Sequence, residues 1–148
     1  MECFLPEPQC GPFAESGCCV PELRVLIVED ELLVRQSLAD ELEQAGYVVA
    51  QAASGEEALT LVGSAAGLLD VLVTDIQLAG TLTGWDLAEA IHAGNSSVHI
   101  VYTSARPPEP HRRLPGSTFL AKPCQPHEVT QACRHAWPGR EAEPHDRG

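Results

Sequence analysis

Three carboxylates and one ammonium stand where short apolar runs end. Leu23-Arg24-Val25-Leu26-Ile27-Val28 leads into Glu29-Asp30, Val71-Leu72-Val73-Thr74 leads into Asp75, and Phe119-Leu120-Ala121 leads into Lys122-Pro123. Lys122 is the only lysine in a chain of 148 residues whose other cationic side chains are arginines. Carboxylates brought to short range repel one another and invite a cation, and hard oxygen donors select Mg2+ or Mn2+. A carboxylate is also a usable phosphoryl acceptor, and a fixed ammonium can neutralise phosphoryl oxygens. Taken singly, each residue has a plainer explanation: a solvated loop acid, a helix cap, a surface charge. The chemistry depends on whether the fold gathers them.

A sheet would do so. Leu23–Val28 is apolar on both faces, as a buried parallel strand is. A helix follows over about Leu32–Ala45, with Leu32, Leu33, Leu38, Leu42 and Ala45 near helical spacing and Gly46 as its stop. Tyr47–Ala53 reads as the second strand. Ser54 and Glu57 then make a capping box for a helix over about Gly55–Val62. Val71–Thr74 is the third strand and Ile76–Thr83 a loop. Gly84–Ala93 is a helix with Trp85, Leu87, Ala88 and Ile91 on one face. Val98–Tyr102 and Phe119–Ala121 are the fourth and fifth strands, and Pro126–Ala136 the last helix.

Strands alternating with helices predict an α/β fold: a flavodoxin-like, doubly wound, five-stranded parallel sheet in order 2-1-3-4-5, with helices on both faces. In that order Glu29, Asp30 and Asp75 converge at the carboxyl edge of the sheet, where open α/β sheets bind ligands. The alternation also requires a crossover helix between strands four and five. Ser104–Gly116, however, holds four prolines in thirteen residues. Proline removes a donor and clashes within a helix, so this fourth helix should be shortened to a turn around Glu109–Leu114 or be absent.

Composition narrows the rest. The length suits one domain, expected over residues 23–137, between a Pro/Cys-rich N-terminal extension (1–22, packed locally through Phe4, Leu5 and Phe13) and a polar tail (138–148). A net charge of −12 opposes direct DNA binding. No apolar run approaches the ~18 residues of a membrane span, and no basic-then-apolar leader opens the chain. A cytoplasmic protein with free thiols is expected. Cys3, Cys10, Cys18, Cys19, Cys124 and Cys133 contain no Cys-x-x-Cys pair, which argues against zinc or dithiol redox chemistry. The histidines show no ligand spacing.

The ordered set Val25-Leu26-Ile27-Val28-Glu29-Asp30-Glu31, Thr74-Asp75, Tyr102-Thr103-Ser104 and Phe119-Leu120-Ala121-Lys122-Pro123 resembles the receiver domain of two-component response regulators. The resemblance implies that Asp75 accepts a phosphoryl group from a phosphohistidine of a histidine kinase or phosphotransfer protein. It implies a Mg2+ (or Mn2+) site of Glu29, Asp30, Asp75 and the backbone carbonyl of Gln77. Lys122 would pair with Asp75 and then with the phosphoryl oxygens, through a cis Lys122–Pro123 bond. A hydroxyl at the end of strand four, Ser104 or Thr103 with Ser104 preferred, would cap the phosphoryl group. Phe119 takes the position of the switch aromatic. The sharpest geometric expectation is Lys122 Nζ within about 4 Å of the Asp75 carboxylate.

The chain departs from the family pattern in three places. Leu78-Ala79 replaces the usual Met-Pro after Asp75, in a loop about one residue longer. The switch hydroxyl is ambiguous, and the fourth helix is degraded. About eleven residues follow Trp137, so a single-domain regulator acting on a downstream protein is expected, with no enzymatic activity beyond slow self-dephosphorylation. The rivals are a receiver-like binding module that works without phosphorylation and a metal-dependent phosphohydrolase. The latter wants a second acid two residues after the nucleophile, where this chain has Gln77.

Overall fold

A computed structural model describes residues 23–63, 69–107, 109 and 111–136. The N-terminal extension with Phe4, Leu5 and Phe13, Trp137 and the 138–148 tail lie outside the described residues. The elements are β1 (Arg24–Val28), α1 (Leu32–Gln44), β2 (Val48–Ala52), α2 (Gly55–Gly63), β3 (Val71–Asp75), α3 (Gly84–Gly94), β4 (His99–Ser104), β5 (Thr118–Ala121) and α4 (Pro126–Ala136). The strands form one sheet in order β2-β1-β3-β4-β5, and every pairing is parallel. This is the expected flavodoxin-like order.

The sheet carries apolar residues on both faces because helices cover both. On one side Leu26, Val28, Leu72, Ile100 and Tyr102 pack with Ala58 of α2 and with Trp85, Leu87, Ala88 and Ile91 of α3. On the other, Val25, Ile27, Val71, Val73 and Val101 pack with Leu38, Ala39 and Leu42 of α1 and with Val129, Ala132 and Cys133 of α4. Burial of this kind contributes about 1.5–3 kcal/mol for each large aliphatic side chain. The α1 stripe differs from expectation at its start. Leu32 and Leu33 are 51% and 77% exposed, because the inward face runs through Val34, Leu38, Ala39 and Leu42 instead.

Two local features also differ from the sequence reading. The Ser54 hydroxyl accepts from the Glu57 N–H, but the Glu57 carboxylate reaches back to the Ala53 N–H, one residue before the cap. β4 runs two residues past Tyr102, because Thr103 pairs with Asp75 and Ser104 with Ala121.

No helix joins β4 to β5 among the described residues; the prolines have the predicted effect. A single turn remains, in which the Glu109 carbonyl accepts from the Arg112 and Arg113 N–H groups. The segment 111–117 instead lies as a strap against α3. Arg112 reaches Asp86 at 3.0 Å and Glu89 at 3.1 Å, and the Leu114 N–H donates to the Tyr102 hydroxyl at 3.2 Å. Tyr102 is fully buried and its ring lies 4.7 Å from that of Trp85. Among the described residues no helix is long and apolar enough to cross a membrane.

Candidate functional site

Parallel strands all point their carboxyl ends to one edge, and that edge holds the predicted residues. Glu29 and Asp30 follow β1, Asp75 closes β3, and Lys122 follows β5. Lys122 Nζ lies 3.0 Å from Asp75 Oδ2 and 3.2 Å from Glu29 Oε1. The Lys122–Pro123 peptide bond is cis. Glu29, Asp30 and Asp75 each offer a carboxylate oxygen within 4.8 Å of the others; Glu29 and Asp75 are buried and Asp30 is exposed.

The remaining oxygens of the buried acids are engaged by backbone. Glu29 Oε2 accepts from the Glu31 N–H at 3.1 Å, and Asp75 Oδ1 from the Gln77 N–H at 3.2 Å. Arg35 donates to the Glu29 carbonyl at 2.8 Å, pinning the start of α1 to the end of β1. Burial raises the Glu29 carboxyl above its ordinary value, against the Glu31 bond that lowers it, and the Asp75 charge adds to the rise. Partial burial pulls the Lys122 ammonium down, but its bonds to Asp75 and Glu29 outweigh that and leave it raised. One ammonium facing three carboxylates leaves the edge short of positive charge. An all-oxygen acidic set with one exposed, adaptable member fits a hard divalent cation.

Both candidate hydroxyls are buried, and they are held differently. Thr103 is the register partner of Asp75 and borders a cavity of about 380 Å³ with Glu29, Lys122 and Cys124. The Ser104 hydroxyl accepts from the Arg106 N–H at 3.0 Å, at the root of the β4–β5 connection. Phe119 is half-buried, pairs with Tyr102 across the ladder and packs against the α2–α3 core. The Tyr102 hydroxyl bond and the backbone donors from Glu31 and Gln77 carry no pattern in the sequence, since each depends on a turn geometry.

The response regulator receiver domain family matches residues 25–134. The chain belongs to this family. The alkaline phosphatase synthesis transcriptional regulatory protein of Synechococcus elongatus is 30% identical over 125 residues, which is 77% of this chain and 48% of that regulator. The receiver thus spans about half the length of that relative. A response regulator receiver protein from Sinorhizobium medicae superposes with a TM-score of 0.73 at 26% identity, over 78% of this chain and 94% of the other. The receiver domain of the hybrid histidine kinase CckA does so with a TM-score of 0.67 at 31% identity, over 76% and 97%.

Proposed function

We propose that this receiver accepts a phosphoryl group on Asp75 from a phosphohistidine and signals by contact with a downstream protein. The observation that carries this is the Lys122 Nζ–Asp75 Oδ2 distance of 3.0 Å beside a three-carboxylate cluster. An Asp75 carboxylate oxygen attacks phosphorus and forms the acyl phosphate. The phosphorus–nitrogen bond breaks, its electron pair returns to the imidazole, and that nitrogen takes a proton from solvent. The transition state needs in-line positioning and charge neutralisation more than covalent help. The Gln77 N–H and Lys122 hold the carboxylate in place, and Lys122 is placed to pass to a phosphoryl oxygen. Glu29, Asp30, Asp75 and the Gln77 carbonyl would hold Mg2+ (or Mn2+), which when bound supplies further positive charge at the phosphoryl oxygens.

Ser104 is the favoured capping hydroxyl, and Phe119 the aromatic whose packing follows it. Phosphorylation adds about −1.5 to −2 charge. Swinging the Ser104 side chain onto the new group would take its oxygen away from the Arg106 N–H and loosen the connection that leads into the strap. The donor is a histidine kinase or a histidine phosphotransfer protein, acting in the cytoplasm. Output runs through protein contact rather than DNA, in keeping with the −12 charge. Catalysis is limited to slow self-dephosphorylation.

The altered loop after Asp75 favours one rival, a receiver that binds partners without phosphate. Titration with beryllofluoride and Mg2+ separates the two. Saturable binding that D75N abolishes supports phosphoryl acceptance; a chain that binds neither Mg2+ nor the phosphoryl mimic sinks it.

A further inference from the structure

The loop from Ile76 to Thr83 must hold Gln77 beside Asp75, yet it contains no proline. Gly80 adopts φ +93°, a conformation open to glycine at the cost of backbone freedom in the unfolded chain. Nothing within the loop's own sequence stiffens it. A side chain of α2 restrains its middle. Glu56, the second residue of that helix, lays its carboxylate across the loop: Oε2 accepts from the Thr81 N–H at 3.0 Å and from the Thr81 hydroxyl at 2.5 Å. A Cβ at position 80 would stand 2.6 Å from Glu56 Oε1, so the glycine also makes room for the carboxylate.

Neighbouring contacts run the same way. Ala79 forms a bridge with Ser54, and a Cβ on Gly55 would stand 2.9 Å from Leu82 Cβ. The Thr81 bonds hold the Glu56 carboxyl below its ordinary value, so it stays ionised at neutral pH. At one end of the loop the Gln77 N–H binds Asp75 Oδ1; at the other the Gly84 N–H binds the Ile76 carbonyl at 2.7 Å. α2 itself starts just after β2, whose last residue, Ala52, accepts from the Glu29 N–H at 3.1 Å. Glu56 thus ties the loop carrying Gln77 to the edge carrying Glu29.

We propose that Glu56 is a positioning residue for the divalent-cation site: through Thr81 it fixes the Asp75–Gly84 loop so that the Gln77 carbonyl is held for the ion. This rests on the Mg2+ reading of the Glu29–Asp30–Asp75 cluster. The Glu56 carboxylate bonds to Thr81 and lies outside the Glu29–Asp30–Asp75 cluster, so its effect is on affinity through loop order.

The test is isothermal titration of the full chain with MgCl2, for wild type, E56A, E56Q, T81V and the E56A/T81V double variant, with thermal melts of each in EDTA. E56A should weaken Mg2+ binding by roughly threefold or more, below the ~10–100-fold typical of partners bonded directly to a ligand. E56Q keeps an acceptor oxygen and should recover most of the loss. T81V should share the loss, and the double variant should bind no more weakly than E56A. EDTA melts should stay near wild type, which separates a positioned loop from a weakened fold. Unchanged affinity in both E56A and T81V overturns the inference and leaves the cation site standing. A loss in E56A that E56Q does not recover and T81V does not share assigns the effect to surface charge, and also overturns it. If E56A fails to fold, T81V and E56Q carry the same comparison. A wild-type chain that does not bind Mg2+ removes the cation site and this inference together.

Discussion

Ser104 and Thr103 are adjacent buried hydroxyls with different attachments. Thr103 lies in the same sheet row as Asp75, whereas the Ser104 hydroxyl is engaged by the Arg106 N–H. A phosphoryl group that swings the Ser104 side chain toward itself takes its oxygen away from the Arg106 N–H and so disturbs the strap; one that recruits Thr103 need not. S104A should therefore still take up beryllofluoride but lose the accompanying rise in hydrogen exchange over residues 105–117, while T103V keeps it. The reverse pattern gives the role to Thr103. The sequence could name both hydroxyls but not fix one, because strand alignment can place either at the phosphoryl site and only the family pattern favours Ser104. Glu29, Asp30, Asp75 and Lys122 were legible for the opposite reason. Each ends an apolar run whose direction the parallel sheet dictates, and the expected Lys122–Asp75 contact is present at 3.0 Å. Glu56 was not legible, since its partner Thr81 lies 25 residues away and is reached through a glycine of positive φ.

At the scale of elements, the site depends on how closely α3 approaches the end of β3. A Cβ on Gly84 would stand 2.3 Å from the Asp75 carbonyl oxygen and 2.8 Å from Ile76 Cα. Both are backbone atoms and cannot swing aside. G84A should cost roughly 1–3 kcal/mol, as overpacking does, read as a lower urea midpoint with an unchanged slope. The strap between β4 and β5 is the second such junction. Proline chemistry predicted the missing helix, but the replacement rests on long-range bonds from Arg112 and Tyr102 that no local pattern announces. Y102F keeps the ring against Trp85 and removes the hydroxyl that receives the Leu114 N–H. It should cost about 0.5–1.5 kcal/mol and speed amide exchange at Leu114 above that of residues in β3. Equal exchange in variant and wild type would show that the strap is held by the Arg112 ion pairs and the packing of Leu114 rather than by the Tyr102 hydroxyl. Leu32 and Leu33 mark a limit of periodicity: helical spacing identifies a stripe, but not where the sheet beneath it ends.

For the molecule as a whole, one half-buried histidine shapes the response to pH. His99 opens β4 at the edge of the sheet away from Asp75, with Nε2 3.0 Å from the Thr118 hydroxyl. Burial lowers its pKa from the ordinary 6.5. Above that value the imidazole is neutral in both states and costs nothing. As pH falls below it, the unfolded chain takes the proton first, so stability is lost until the folded-state value is passed. Melts between pH 7.5 and 5.5, about a unit either side of the ordinary value, should show a steeper decline for wild type than for H99Q; identical slopes would exclude His99 as the cause. Asp75 is expected to take a partner's phosphoryl group. The most direct test incubates the full chain with a radiolabelled phosphohistidine donor and Mg2+, beside D75N. Alkali-labile label is expected on the wild type and none on D75N; label on D75N at the wild-type level would rule out Asp75 as the acceptor.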